Sequence, residues 1–234
     1  MAKTTIATTH FSARTFHLII TVLLVGGGLM MVFKGGYMQA KAHFAQYLIE
    51  SAFERSLQDQ QAHKPWSWAD THPVAKLTIK RKLSSGHTQT APLYVLDGAS
   101  GRTMAFGPGL MHTGAPVSAN GNTIITGHRD SHFSVLQLVQ VGDEIELIDT
   151  SAQVLTYEVS DIQIVHETST HVLNYNGDTE LTLITCYPFE GITSQTEYRY
   201  VVSATLKTDT ETDGQQIEFA STSTQTSNKK HGYM

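Results

Sequence analysis

Three residues of types used in covalent catalysis occur where strand-like runs of the sequence begin or end. Cys186 ends an apolar run and stands two residues before Pro188, which cannot continue a sheet ladder. His128 follows another apolar run, and Arg199 opens the last one, thirteen residues after Cys186. Strand ends are where a rigid scaffold presents reactive groups to a cleft. These three side chains are therefore candidates for one site, although their spacing alone does not prove that they converge.

The three residue types have complementary roles in acyl transfer. A cysteine thiolate is the nucleophile, and a nearby imidazolium or guanidinium lowers the pKa of the thiol. The histidine can protonate a departing amine and deprotonate an incoming one, while the arginine can bind substrate backbone or stabilise an oxyanion. Two simpler interpretations stay open. Cys186 could be a small buried hydrophobe, and Arg199 could pair with a surface carboxylate such as Glu197.

The composition excludes some classes of protein. A net charge of −5 and a pI near 6.2 argue against nucleic acid as the main partner. Cys186 is the only cysteine among 234 residues, so the chain cannot form an internal disulfide. An apolar share of 40% is sufficient for a sizeable core.

The apolar run Phe16–Phe33 has 18 residues, which in a helix span about 27 Å, enough to cross a bilayer core. Basic but no acidic residues precede it. This charge pattern predicts that residues 1–15 are cytoplasmic and that the rest of the chain lies outside the cytoplasm. A signal peptide cleaved after Ala42 is the alternative, but its apolar core would be unusually long. A buried core helix is a further alternative.

The remainder divides into three predicted parts. Residues 34–63 have helical apolar spacing and predict a stalk or linker. Residues 64–206 contain short strand-like runs separated by turn glycines, which favours a closed barrel or a sandwich, with one short helix at Ser131–Val139. Residues 207–234 are polar and predict a disordered tail. The predicted strands are Val74–Ile79, Leu93–Leu96, Thr123–Thr126, Glu144–Ile148, Leu155–Val159, Ile162–Val165, Leu181–Thr185 and Tyr198–Leu206.

Thr182–Cys186 reads TLITC and resembles the TLxTC signature of sortases, and Thr126–His128 is similar to their histidine segment. Arg199 follows at the expected distance. The resemblance covers residues 64–206 and implies a mainly β fold, an eight-stranded sortase β-barrel with short helices, preceded here by the predicted transmembrane helix. It implies cleavage of an LPxTG-like C-terminal sorting signal through a thioacyl-enzyme and acyl transfer to an amine. His128, Cys186 and Arg199 are then catalytic, Thr185 and Asp130 are substrate-binding candidates, and no cofactor or metal is expected. Asp130 could orient His128 or its neighbour Arg129 instead.

Finer segments resemble the sortases of Gram-negative, often marine, proteobacteria: Lys64–Asp70, Ala105–Gly109, Gly127–Asp130 and Cys186–Phe189. That resemblance implies one dedicated substrate protein, an amine acceptor in the cell envelope, and an enzyme anchored in the inner membrane that faces the periplasm. Trp66, Trp68 and Phe106 are predicted to pack in the core or across the barrel end.

Three other functions are weighed against this one. His128 and His132, four residues apart, could bind zinc on one helix face, but Gly127 makes such a helix doubtful and the HExxH glutamate is absent. A different cysteine transpeptidase would carry a SHGC-type block, which this chain lacks. A non-catalytic sensor or adhesion module would tolerate the loss of Cys186.

Overall fold

The computed structural model describes residues 13–83, 86–175, 177–191 and 196–207. The helices in these ranges are α1 (Ala13–Asp59), α2 (Gly101–Met104) and two 3₁₀ helices, His132–Leu138 and Thr170–Leu173. The strands are β1 (Pro73–Leu83), β2 (Gly86–Gln89), β3 (Leu93–Asp97), β4 (Gly109–Leu110), β5 (Asn122–Thr126), β6 (Glu144–Asp149), β7 (Val154–His166), β8 (Glu180–Tyr187) and β9 (Tyr198–Leu206). The predicted cytoplasmic start and disordered tail lie outside the described residues, except for 13–15 and 207.

The predicted membrane span and the predicted stalk up to Asp59 form one continuous helix, α1. In the described part of the chain, α1 is the one helix that is long and apolar enough to cross a membrane, judged by length and composition. Its C-terminal turns pack on the strands, with Ile49, Ala52 and Phe53 at most 1% exposed. The Tyr94 hydroxyl donates a hydrogen bond of 2.7 Å to the Glu50 carboxylate. These contacts fix the end of α1 against β3.

Eight strands close into a barrel. The order runs β1-β3-β4-β5-β8-β9-β7-β6, and β6 pairs back with β1 from Ala75 opposite Asp149 to Lys80 opposite Glu144. β2 pairs with the outer end of β1 only. The pairs β3–β4 and β5–β8 are parallel, and the other pairs are antiparallel. A barrel of eight strands has an interior that side chains can fill.

Side chains that alternate along the strands fill the barrel interior. Successive strand residues point to opposite faces of a sheet. Leu181 and Leu183 of β8 belong to the apolar core. Ile184 and Cys186 of the same strand therefore face the outside of the barrel. The core also contains Leu77, Ile79, Val95, Ile125, Ile145, Leu147, Tyr157 and Val202.

The predicted fold class is confirmed, with differences in single strands. Leu155–Val159 and Ile162–Val165 are one strand, β7, whose register shifts between Val159 and Asp161. β2 and β4 were not predicted, because β2 is polar and β4 has two residues. The short helix predicted at Ser131–Val139 is the first 3₁₀ helix.

Candidate active site

Cys186 and Arg199 are directly opposite residues of the antiparallel strands β8 and β9. Cys186 is the last residue but one of β8, as Pro188 indicated, and it is half-buried. Opposite residues of an antiparallel pair project from the same face, with Cβ atoms about 4.5–5.5 Å apart. The barrel therefore places the thiol and the guanidinium on one outer face at one end of the sheet.

His128 reaches the same end of the sheet from the other side of β8. β5 runs parallel to β8 and pairs Thr126 with Ile184. The Gly127 amide then donates to the Ile184 carbonyl at 3.1 Å. His128 and Cys186 each come two residues after that last register pair, so both leave the sheet at the same edge. The His128 residue is exposed there.

Gly127 and Thr185 set the path of the chain at His128. A Cβ on Gly127 would lie 2.9 Å from the ring of Phe133, which is fully buried. A larger residue would therefore displace that ring and the first 3₁₀ helix. The Thr185 hydroxyl, 1% exposed, donates to the Gly127 carbonyl at 2.8 Å. Thr185 thus ties the cysteine strand to the histidine segment from inside the barrel.

The guanidinium of Arg199 makes three hydrogen bonds within the chain. Its Nη1 donates to the carbonyl oxygens of Thr196 at 2.6 Å and Tyr198 at 3.0 Å. Its Nη2 donates to the Glu167 carboxylate at 2.7 Å. The Arg199 side chain is still 29% exposed. A guanidinium has five N–H donors, so these bonds hold its plane and leave donors for a ligand.

Glu167 meets Arg199 because of the register between β7 and β9. Val165 lies opposite Arg199, and Glu167 follows two residues later, so that both side chains project from the same face. The Glu167 amide donates to the Glu197 carbonyl at 2.7 Å, which extends the pairing beyond the end of β7. The carboxylate that Arg199 contacts is therefore Glu167 and not Glu197, its near neighbour in sequence.

Arg129, next to His128, has a buried side chain with 4% exposure. Its Nη2 donates to the Gly191 carbonyl at 2.7 Å, and its Nε donates to the Asp130 carboxylate at 3.2 Å. A Cβ on Gly191 would lie 3.0 Å from the guanidinium. Arg129 therefore fixes the start of the loop that follows Cys186. Asp130 contacts Arg129, one of the two partners expected for it.

A groove of about 300 Å³ lies on the outer face of the barrel beside Arg199. Ile184 and Val201 form its floor, and the second 3₁₀ helix contributes Thr170, Val172 and Leu173. Cys186 does not line the groove, but it continues the outward face that Ile184 begins and lies directly opposite Arg199, which lines the charged end. The remaining lining residues are Ala99, Met104, Met111, Thr126, Val165, His166, Glu167, Ser169 and Arg199. The groove is thus apolar along most of its length and carries the Arg199–Glu167 pair at one end.

The shared helix face that the alternative of a zinc site requires does not form. The residues between Gly127 and Asp130 are not helical, and the first 3₁₀ helix begins only at His132, so His128 and His132 do not share a helix face. In the ranges that the structure describes, no three His, Cys, Asp or Glu side chains could hold a metal ion together. Burial, and secondarily the charge of His128, lowers the pKa of His132.

The aromatic residues before and after the first strands differ in their packing. The rings of Trp66 and Phe106 are half-buried and meet edge to face with centroids 5.0 Å apart. Trp68 is 82% exposed, so the prediction that it packs in the core or across the barrel end was wrong. The Ala69 amide donates a hydrogen bond to the Trp66 carbonyl at 3.0 Å and closes a turn over residues 66–69. This turn directs Trp68 to solvent.

Comparisons with known proteins identify the fold and then the family. Sortase A from Corynebacterium diphtheriae superposes with a TM-score of 0.50 at 21% identity, covering 72% of this chain and 86% of that one. A Clostridium perfringens Sortase D5 transpeptidase gives a TM-score of 0.49 at 23% identity, covering 68% of this chain and 94% of that one. The superposition with Sortase A shows that the chain has the sortase barrel fold. In this chain a cysteine, a histidine and an arginine lie at one edge of the sheet.

Sequence comparison assigns the family. The model of the Sortase domain matches residues 87–207, more than half of the chain. Sortase D of Bacillus subtilis (strain 168) is 22% identical over 191 residues, which cover 79% of this chain and 96% of that protein. The chain belongs to the sortase family, which assigns it a sortase transpeptidase function.

Proposed function

We propose that Cys186, His128 and Arg199 are the catalytic residues of this sortase. The observation that carries the proposal is the strand register, which sets Arg199 directly opposite Cys186 and brings His128 to the same sheet edge from β5. Each residue type supplies a different part of one reaction: a thiolate nucleophile, a proton donor and acceptor, and a fixed positive charge.

The reaction proceeds in two acyl transfers. The Cys186 thiolate attacks the threonine carbonyl of an LPxTG-like sorting signal, and the Arg199 guanidinium stabilises the resulting oxyanion. The carbon–nitrogen bond to glycine breaks as His128 protonates the departing amine, which leaves a thioester on Cys186. An acceptor amine then attacks the thioester and gives its proton to His128. The carbon–sulfur bond breaks, and the thiolate is restored.

The groove beside Arg199 supports a peptide substrate. Its apolar floor, Ile184 and Val201, suits the aliphatic and proline side chains of such a signal, and its charged end suits the scissile carbonyl. Asp130, exposed beside His128, is retained as a substrate-binding candidate. Thr185 is buried, so it does not contact the substrate directly. We propose that it supports substrate binding indirectly, because its hydrogen bond to the Gly127 carbonyl holds the segment that carries His128.

We further propose that the enzyme is held at the membrane by residues 16–33, with 34–63 as the stalk, 64–206 as the catalytic domain and 207–234 as a disordered tail. Most apolar side chains between Phe16 and Phe33 are 38–79% exposed, as expected for a segment that contacts lipid. The resemblance to proteobacterial sortases supports an inner-membrane enzyme that faces the periplasm. It also supports one dedicated substrate protein and an envelope amine as acceptor.

Intact-mass spectrometry of the purified enzyme with LPxTG-type peptides tests the mechanism. We expect an adduct equal to the peptide up to its threonine on Cys186, and its transfer when an oligoglycine amine is added. Cys186→Ala should form no adduct, because no other cysteine exists in the chain. The variant should retain the fold. Turnover by the purified Cys186→Ala protein above a few per cent of wild type would exclude the covalent mechanism.

A further inference from the structure

Two buried polar residues, Asn122 and Thr182, lie beside the second 3₁₀ helix and are not used in the acyl transfers. Asn122 begins β5 and is 4% exposed, and Thr182 of β8 is 1% exposed. Thr182 faces the outside of the barrel, because its neighbours Leu181 and Leu183 belong to the core. Asn122 also faces outward, since the core residue Ile125 is three positions further along β5. A buried amide is costly unless it is hydrogen-bonded, so the partners of Asn122 indicate what it does.

The side chain of Asn122 connects β8 to the segment between β7 and β8. Its Nδ2 donates to the carbonyl oxygens of Val172 and Asn174, both at 3.4 Å, the long end of the hydrogen-bond range. Its Oδ1 accepts a hydrogen bond of 2.8 Å from the Thr182 hydroxyl. Carbonyl oxygens can only accept, so the amide must turn its two hydrogens toward the two carbonyls and its oxygen toward Thr182. The Thr182 hydroxyl therefore holds the amide in the orientation that reaches both carbonyls.

The carbonyls that Asn122 contacts belong to one wall of the peptide groove. This groove wall, residues 170–174, consists of the second 3₁₀ helix and Asn174, which follows it. Thr170, Val172 and Leu173 line the groove. Of the four described residues of this helix, none is buried, so the burial of apolar surface contributes little to its position. The hydrogen bonds from Asn122 therefore hold the groove wall where apolar packing is weak.

The register between β5 and β8 brings Asn122 next to the groove wall. Asn122 lies opposite Glu180, the first residue of β8. The Glu180 amide donates to the Gly121 carbonyl at 3.0 Å, so the chain that returns from the groove wall enters β8 beside Asn122. Thr182 comes two residues later and lies opposite Ile124. Asn122 and Thr182 are thus fixed by the barrel, whereas the groove wall that they hold lies outside the sheet.

We propose that Asn122 and Thr182 are positioning residues that hold the groove wall in place before the sorting signal binds. The inference rests on the proposed function, because it takes the sorting signal to lie in this groove. A groove wall that is already in place costs the peptide no ordering on binding. Without the pair, only the molecules whose groove wall is in place bind the peptide, and the apparent affinity falls by that fraction. The rate of the chemical step, which depends on Cys186, His128 and Arg199, should not change.

The two threonines of the segment TLITC then have separate tasks. Thr185 is buried on the inner side of β8 and ties the strand of Cys186 to the Gly127 carbonyl. Thr182 points outward and holds the amide of Asn122. The same strand thus positions the histidine segment from inside the barrel and the groove wall from outside.

Acylation of Cys186 by an LPxTG-type peptide, followed in a single turnover by intact-mass spectrometry, tests this role. Asn122→Ala removes both donors. We expect the half-saturating peptide concentration to rise about tenfold, as for a groove wall in place in roughly a tenth of the molecules, while the maximal rate stays within about twofold. Asn122→Asp keeps the size but turns an oxygen toward the two carbonyls, and should have at least the same effect. Thr182→Val only frees the amide, so its effect should be smaller and should add little to that of Asn122→Ala.

Thr123→Val is the matched control. Thr123 is the next residue of β5 and is fully buried, and its hydroxyl donates to the Pro116 carbonyl at 3.3 Å and not to the groove wall. This variant should change neither the half-saturating concentration nor the maximal rate. Hydrogen exchange of the peptide-free proteins measures the groove wall directly: residues 170–174 should exchange faster in the Asn122 and Thr182 variants than in wild type or Thr123→Val.

The two measurements separate the possible failures. Unchanged exchange at residues 170–174 in the Asn122 and Thr182 variants would show that the pair does not hold the groove wall. An unchanged half-saturating concentration, or an equal rise in Thr123→Val, would overturn the role in peptide binding. A wild-type enzyme that forms no adduct would refute the proposed function, and the exchange data would then decide whether the pair holds the groove wall. Thermal unfolding identifies variants that do not fold, and Thr182→Val, the mildest change, decides the test if Asn122→Ala is one of them.

Discussion

Replacing Arg199 with lysine separates directed hydrogen bonding from simple positive charge. The guanidinium is held by Thr196, Tyr198 and Glu167 in three bonds of 2.6–3.0 Å. A lysine ammonium keeps the charge and can still reach a carboxylate, but it is a single point charge and cannot present a planar pair of donors. The remaining donors of Arg199, opposite Cys186, are therefore lost in the variant.

The two roles predict effects of different size. Losing one well-placed oxyanion donor costs about 10²–10³ in rate. The Arg199–Glu167 ion pair, with side chains 29% and 46% exposed, contributes at most about 1 kcal/mol to stability. We therefore expect Arg199→Lys to lose at least about a hundredfold in kcat/KM while its Tm falls by roughly 4 °C or less. Arg199→Ala should be less active still.

Glu167→Gln supplies the matched test, because glutamine keeps an acceptor oxygen and loses the charge that orients the guanidinium. We expect about a tenfold loss in kcat/KM in the wild-type background and little further loss in Arg199→Lys, since both changes act on the same donor geometry. Glu197→Gln is the control, because Glu197 contacts Glu167 through its backbone carbonyl.

Peptide cleavage and thermal unfolding measured on the same preparations decide the matter. An active, slightly destabilised Arg199→Lys enzyme would remove Arg199 from the catalytic residues. An inactive Arg199→Lys enzyme beside a fully active Glu167→Gln enzyme would leave the arginine in place and refute only the orienting role of Glu167.

Three further predictions concern other parts of the chain. His128→Gln should form and transfer almost no thioacyl product near neutral pH, because an amide cannot exchange a proton there; wild-type transfer by this variant would make His128 a structural turn residue. The pKa of folded His132 lies below 6.5, so the unfolded chain binds more protons as the pH falls through that value, and folding stability decreases. His132→Gln should weaken this pH dependence, which urea unfolding of both proteins at about pH 7 and about pH 5 can measure. If the unfolding free energy of wild type and variant changed equally between the two pH values, His132 would not be the source of the pH dependence. The segment Phe16–Phe33 should remain in the mature protein, and a mature N-terminus at His43 would show signal cleavage instead.

The sequence predicted the parts of the site that depend on one strand and its end. Pro188 indicated that β8 stops just after Cys186, and the thirteen-residue spacing to Arg199 suited the observed hairpin of β8 and β9. One contact of the candidate site, that between Arg199 and Glu167, could not be predicted in this way. Glu167 is 32 residues from Arg199, and only the β7–β9 register, which includes a shift after Val159, brings them together.

The same limit applies to the buried side chains around His128. The sequence GHRD gives no indication that Arg129 is enclosed, because its position depends on Gly191, 62 residues away. The two predicted strands that merge into β7 show a related effect: the polar residues Ser160 and Asp161 look like a turn in the sequence, whereas a register shift accommodates them within one strand.

The continuity of α1 has a consequence for which substrates the enzyme can meet. With the proposed anchor in the bilayer, the twelve residues that follow Phe33, up to Ala45, form a rigid spacer of about 18 Å. A flexible linker of the same length would have a similar average reach of about 19 Å but would sample many heights and tilts. The helix instead keeps the barrel at one height and one orientation. A membrane-bound partner must therefore present its cleavage site within a narrow layer above the lipid, so the geometry of its own tether becomes a selection criterion alongside its sorting motif.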